Sequence, residues 1–222
     1  MKRRIIFFLA ILASLGAAAQ LRIGGFDGVS LNRYVIDTQY QYDWRYGKTL
    51  SVYQGFSLQY DFCDWMGLRT DICPYAEKGY WKYRTGAFDK FSYDIDNRYF
   101  QVPVFAVFSF GGTRLRGHFG AGAFGAYWLF SSRHGTVEDP VDPAVSVDFS
   151  EDMVFDDTRD RRLEAGMAAV TGIGYRFPAN VVVQLEGSIY HGLTSTTKNY
   201  MLISDPRYNT LTTVQVCVYY CF

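Results

Sequence analysis

Hydrophobic and polar residues alternate along much of the chain, which is the pattern of a β-strand with one apolar face. The segment from Leu211 to Phe222 shows this most clearly, with one side carrying Val214, Val216, Val218, Tyr220 and Phe222. The same period of two recurs in five further segments with strong alternation and in two weaker ones, 21–32 and 52–61. The sequence therefore predicts eight strands.

The connections between these strands alternate in length. The links 62–65, 111–114 and 178–180 are tight, whereas 35–51, 78–96, 131–160 and 194–207 are long. This alternation is typical of an outer-membrane barrel with short turns at one end and long loops at the other. We predict an all-β fold, an eight-stranded antiparallel up-and-down transmembrane β-barrel with both mature termini in the periplasm. A soluble sandwich or ligand-binding barrel, with its apolar face inward, is the alternative.

The first residues indicate export. Lys2, Arg3 and Arg4 precede an apolar run that ends in three alanines at 17–19, the order of a secretory signal peptide. We predict a signal peptide at 1–19, one barrel domain at 20–222 and an outer-membrane location. Without the leader, 19 basic residues face 22 acidic ones, which disfavours a nucleic-acid binder.

The polar side of the predicted strands carries nearly balanced charges. If the apolar side meets lipid, these side chains fill the lumen, and buried charges need partners. We predict a lumenal ion-pair network of Arg22, Asp61, Arg69, Asp71, Arg116, Arg162, Glu164, Arg176 and Glu186. The interior of an eight-stranded barrel is just wide enough for side chains, so this network would plug it. No close Cys or His pairs occur, and we predict no cofactor and no metal site.

Two resemblances to known proteins are carried by particular residues, one to an assembly signal and one to a family. The alternate residues that end in Tyr220-Cys221-Phe222 are similar to the C-terminal signal read by the barrel-assembly machinery, which implies that machinery as a partner. The segment Arg98-Tyr99-Phe100-Gln101-Val102-Pro103-Val104, followed by Gly120-Ala121-Gly122-Ala123 and Gly172-Ile173-Gly174-Tyr175, resembles the PorT-type outer-membrane β-barrel family. That resemblance implies an envelope role linked to protein secretion and brings no catalytic residues.

Two functional hypotheses follow. The first is a non-enzymatic envelope barrel that contacts outer-membrane lipid and lipopolysaccharide and acts on an unknown protein partner through its loops or turns. The second is a lipid A-modifying enzyme working at His191, with Ser195 nearby. Because the alternation does not place His191 and Ser195 on one face within hydrogen-bond range, the first is favoured.

Overall fold

The computed structural model describes residues 20–36, 44–85, 90–138, 146–199 and 206–222. They form ten strands: β1 (Gln20–Ile36), β2 (Trp44–Cys63), β3 (Met66–Glu77), β4 (Tyr80–Thr85), β5 (Lys90–Gly111), β6 (Leu115–Glu138), β7 (Ser146–Asp152), β8 (Leu163–Arg176), β9 (Val181–Gly192) and β10 (Arg207–Cys221). No helix long and apolar enough to cross a membrane occurs among these residues. The predicted signal peptide at 1–19 lies outside them.

Eight strand positions close into a ring. Antiparallel pairing runs in chain order from β1 through β2, β3, β5, β6, β8, β9 and β10, and β10 pairs with β1 from Cys221 opposite Arg22 to Arg207 opposite Ile36. β4 continues the ring position of β3, because it pairs with the outer part of β2 and with β5. The predicted eight positions in up-and-down order are therefore present.

The ring has the predicted eight strands, but ten strands are present in the described residues, and the predicted bounds of the long loops were wrong. β4 and the first residues of β5 lie in the predicted loop 78–96, and the end of β6 together with β7 lies in 131–160. These segments carry no continuous apolar face, so alternation did not reveal them. Their backbone groups nonetheless continue the ladders, with β7 paired to β6 from Ser132 opposite Asp152 to Glu138 opposite Ser146.

The ring has two different ends. At the short-turn end, formed by the turns 64–65, 112–114 and 177–180 with Gln20 and Phe222, the strands reverse tightly. Gly111 has a φ of 118° there, a conformation that glycine adopts without steric cost. At the opposite, extended end, β2, β4, β5, β6 and β7 continue beyond the level of Arg33 and Lys48.

The apolar side chains point outward and the polar ones inward. Outward residues such as Phe56 and Leu163 are 67% and 68% exposed, whereas inward Arg69 and Glu186 are each 1% exposed. We call the outward surface between the short-turn end and the level of Arg33 and Lys48 the apolar band. This distribution is the reverse of that in a soluble barrel.

Two bulges change which residues point inward. In β3 the inward positions are odd-numbered up to Cys73, the register with β5 then shifts between Cys73 and Ala76, and even-numbered residues point inward beyond it. In the pairing of β5 with β6 the register skips Leu129, so that Trp128 and then Ser131 lie on the inner side. An extra residue in one strand reverses the two faces of everything that follows it.

Candidate functional site: the filled interior and the extended end

The centre of the interior is organised around one arginine. Arg69 bonds both oxygens of Asp71 at 2.8 and 3.0 Å and reaches Glu186 at 2.6 Å. Glu186 is also contacted by His118 Nε2 at 2.9 Å and accepts a bond from Gln215 at 3.0 Å. A planar guanidinium suits this arrangement because it can bind two carboxylates at once.

An aromatic layer lies against this charged cluster. The hydroxyls of Tyr53 and Tyr190 are 3.1 Å apart, and Cys73 Sγ donates to the Tyr53 oxygen at 3.0 Å. Phe105 and Phe124 pack on Tyr190 with ring centroids 6.3 and 5.7 Å away. All five side chains are at most 4% exposed, so this layer fills the cross-section between the polar layers.

A second buried ion pair lies toward the extended end. Lys78 Nζ is 2.9 Å from Glu164, and Asn209 donates to the same carboxylate oxygen at 3.2 Å. The lysine also lies 4.6 Å from the ring centroid of Tyr99 and 4.9 Å from that of Phe124. Both charges are shielded from water, so each depends on the other for compensation.

A further polar layer lies near the short-turn end. Arg22 is 2.6 Å from Asp61, which accepts a bond from Gln59 at 2.7 Å. Arg176 donates to the side-chain oxygen of Gln20 at 2.6 Å. Together with the layers above, this places six of the nine predicted network residues in carboxylate–cation contacts.

The other three predicted residues, Arg116, Arg162 and Arg176, have no carboxylate partner among the described residues. Arg116 donates to the backbone oxygen of Asp64, in the turn beside the start of β6. Arg162 donates to the carbonyls of Trp128 and Leu129, both at 3.0 Å, because the pairing of β6 with β8 ends at Tyr127 opposite Leu163 and leaves these carbonyls without a β8 partner. These arginines lie at strand ends, where backbone and amide oxygens are closer than the buried carboxylates.

Lys78 is the main interior residue that the sequence did not reveal. Extrapolating the alternation of β3 places Glu77 inward and Lys78 outward, and Lys78 was assigned to a loop. The bulge after Cys73 reverses this phase and turns the lysine toward Glu164. Pro74, which lacks a backbone N–H, is the one sequence signal for an irregularity at this point.

A partly enclosed cavity of about 190 Å³ opens above the Lys78–Glu164 pair. Its walls include two stacked ring pairs, Tyr34 on Tyr80 at 4.1 Å and Tyr99 on Trp128 at 5.6 Å. Four buried atoms of its lining residues have no hydrogen-bond partner in the described part of the chain: Asn97 Oδ1, Tyr99 Oη, Trp128 Nε1 and Arg207 Nε. Such buried groups are normally satisfied, by protein, water or ligand.

Cations and tyrosines surround the rim of this cavity, outside the apolar band. The pKa of Lys82 is lowered to about 8, first by burial and then by the positive charges of Arg207 and Arg133. The Lys82 ammonium lies 5.9 and 5.7 Å from the ring centroids of Tyr46 and Tyr93. The extended end thus combines positive charge with aromatic surface.

His191 and Ser195 do not contact each other. His191 Nδ1 lies 3.0 Å from the Thr210 hydroxyl, and Ser195 Oγ lies 3.2 Å from that of Thr197. Within the described ranges, no group of three or more His, Cys, Asp or Glu side chains could hold a metal ion. The four cysteines are free thiols.

A closed antiparallel ring with a polar interior and an apolar exterior is the class of fold that crosses a bilayer with strands, because closure leaves no unpaired edge in lipid. The chain belongs to the outer membrane protein beta-barrel domain family, whose model matches residues 14–198. Comparison with curated proteins found no significant match.

The fold is similar to that of a solved outer-membrane protein. The outer membrane protein OprG of Pseudomonas aeruginosa is 13% identical with a TM-score of 0.52, covering 92% of this chain and 96% of its own. The N-terminal β-barrel domain of OprF from the same organism is 14% identical with a TM-score of 0.43, covering 91% and 97%. At these identities the likeness shows the fold alone.

Proposed function

We propose that this protein is a non-enzymatic outer-membrane barrel whose lumen is closed. Its extended end binds an envelope component or a protein partner. The observation that carries the proposal is the interior itself: successive layers of paired charges and aromatic rings fill the ring, from Arg22–Asp61 through Arg69–Glu186 to Lys78–Glu164. Under this proposal the leader at 1–19 is removed and both mature ends face the periplasm.

The extended end supports the binding role. Its strands continue past the apolar band, and it holds the cavity whose lining includes unpartnered polar atoms of Asn97, Trp128 and Arg207. Val154, in the connection after β7, is 88% exposed, an apolar side chain presented to solvent. The PorT-type resemblance adds a link to protein secretion as the proposed process.

Photo-crosslinking tests the binding role. A photoreactive amino acid at Val154 should give a covalent adduct in intact cells, and the same probe at Thr113, in a short turn, is the matched control. An adduct only from Thr113 would move the partner to the short-turn end, and none from either position would leave the binding role without support.

Conductance tests the closed lumen. Folded protein in planar bilayers should give no porin-sized current steps, because side chains occupy the lumen of a barrel this narrow. Steps of porin size would contradict the proposal.

The enzyme hypothesis is weakened by the separate contacts of His191 and Ser195, since a nucleophile and its base should lie within hydrogen-bond reach. His191→Ala should leave the mass spectrum of lipid A unchanged relative to wild type. A changed spectrum would restore the enzymatic alternative.

A further inference from the structure

One carboxylate lies on the outward face at the middle of the apolar band. On β1 and β2 the outward residues pair in six rungs, from Leu21–Tyr60 at the short-turn end to Leu31–Leu50 toward the extended end. One of the two central rungs of this series is Asp27 opposite Gln54. Both side chains are exposed, and no hydrogen bond or ion pair joins either of them to another described residue.

Everything around this rung is apolar. The next outward rungs are Val29–Val52 on one side and Gly25–Phe56 on the other, and β10 places Val216 beside Asp27. A carboxylate and an amide exposed to hydrocarbon are both costly, and ionisable residues at such depth mark functional contacts. Between the Leu21–Tyr60 and Leu31–Leu50 rungs, Asp27 is the one charged residue among the outward residues described on β1, β2 and the facing part of β10.

The two groups are complementary to each other. The Gln54 amide donates and the Asp27 carboxyl accepts, but on neighbouring strands of one barrel they form no bond. A symmetric dimer of two copies inserted in the same direction has its two-fold axis along the membrane normal, and this axis keeps each residue at its own depth. Such an axis makes every contact occur twice, so Asp27 can meet the second copy's Gln54 while Gln54 meets the second copy's Asp27.

The adjacent rung, Gly25–Phe56, offers a recess and a protruding ring that the same two-fold axis would bring together. A Cβ built on Gly25 would meet only the Gly55 carbonyl oxygen, at 3.5 Å, so the space above this glycine is open. Phe56, opposite it, is 67% exposed. Under the same axis the ring of Phe56 can enter the recess above the second copy's Gly25.

We propose that the protein forms a two-fold symmetric dimer in the membrane through the outward faces of β1 and β2, with reciprocal Asp27–Gln54 hydrogen bonds at its centre. A second copy is favoured over another occupant because donor, acceptor, recess and protruding ring all lie on one face and are self-complementary. This interface does not depend on the binding role of the extended end.

Sedimentation equilibrium of the full folded chain in density-matched detergent micelles tests the dimer. Wild type should show a reversible monomer–dimer equilibrium, and Asp27→Val/Gln54→Leu should weaken it about tenfold or more, given the modest strength of polar contacts between membrane segments. The matched control is Thr171→Val, which removes an outward hydroxyl on β8, across the ring. It should leave the dimer constant unchanged.

A charge exchange separates a specific pair from general polarity. Gln54→Glu alone places two carboxylates together and should weaken the dimer, whereas Gln54→Glu/Asp27→Gln restores a donor opposite an acceptor and should recover it to within about threefold. Heat-modifiable gel mobility confirms that each variant is a folded barrel. Wild-type protein that is monomeric at the highest protein-to-detergent ratio, or variants that dimerise as well as wild type, would overturn the proposal.

Discussion

At the scale of single residues, the interior is most sensitive where a charge has one compensating partner. Lys78 is fully buried and pairs with Glu164, whose one additional donor among the described residues is Asn209. Glu186, by contrast, contacts Arg69, His118 and Gln215. Removing one cation should therefore destabilise the folded protein more at Glu164 than at Glu186.

Lys78→Met should lower the free energy of unfolding by about 3 kcal/mol or more, because it leaves the Glu164 carboxylate buried without its cation. Denaturant unfolding of the protein refolded into lipid vesicles measures this. Lys48→Met, which changes an exposed lysine, should stay within about 0.5 kcal/mol of wild type. Lys78→Met/Glu164→Leu should lose less than Lys78→Met alone; an equal or larger loss would mean that the lysine acts through packing rather than charge.

The rim of the extended end carries a titration that can be tested near neutral pH. Because the Lys82 pKa is lowered to about 8 by burial, then Arg207 and Arg133, folding favours the neutral amine and stability should rise with pH between about 8 and the unfolded value of 10.5. The pH profile of amine labelling, read by mass spectrometry, should show a midpoint near 8. Arg207→Gln should raise this midpoint only part of the way toward 10.5, since burial is the larger cause of the lowered pKa. Arg161→Gln should leave the midpoint unchanged.

At the scale of elements, alternation predicted the strands wherever one side was continuously apolar. The alternate residues of β10 that the sequence placed outward are exposed, as is Phe222 just after the strand, and Arg69 and Asp71 on β3 are inward. The extensions of β5 and β6 and the short β4 and β7 lack such a side, so no local pattern marked them. Their existence follows from the ladders that neighbouring strands continue, which involve residues far apart in the chain.

The interior was predictable as a set of inward charges but not as a set of pairs. Alternation gives the face of a side chain, whereas its partner depends on register across strands and on bulges. Arg22–Asp61 joins β1 to β2, and Arg69–Glu186 joins β3 to β9. The sequence does not indicate that the two members of each pair lie at the same level along the barrel. Lys78 was missed because a single bulge inverts the phase before it.

β7 should be the first strand to open. It pairs only with β6 within the described residues, and six of its seven residues are exposed. β8, which pairs with β6 and β9, is the internal control. Amide hydrogen exchange of the folded protein should be at least about a hundredfold faster in β7 than in β8. Equal protection would mean that another segment covers the free edge of β7.

At the scale of the whole molecule, closure joins the first strand to the last, so the C-terminal strand completes the barrel. Its outward residues Val214, Val216, Val218, Tyr220 and Phe222, proposed as the assembly signal, contact no interior layer. Phe222 is 67% exposed and packs edge-on against Tyr220 at 4.9 Å. A role in assembly and a role in stability can therefore be separated.

Phe222→Ala should reduce the amount of folded barrel in the outer membrane several-fold, while the refolded variant keeps an unfolding free energy within about 1 kcal/mol of wild type. Heat-modifiable mobility of membrane fractions measures the first quantity. Phe110→Ala removes another outward aromatic ring at the same end, on β5, and should leave the amount of barrel unchanged. Equal losses in both variants would assign the effect to lipid contact instead of recognition.

The two bulges divide β3 and β6 each into two parts whose alternation is set independently. Below Cys73 on β3 and below Leu129 on β6 the faces follow one phase, and beyond them the opposite one. An inserted or deleted residue near these points can be absorbed by a change in the bulge, leaving the alternation of the membrane half intact. Over evolutionary time, the extended end can therefore vary in length and sequence, and so acquire new binding properties, while the half in lipid stays the same.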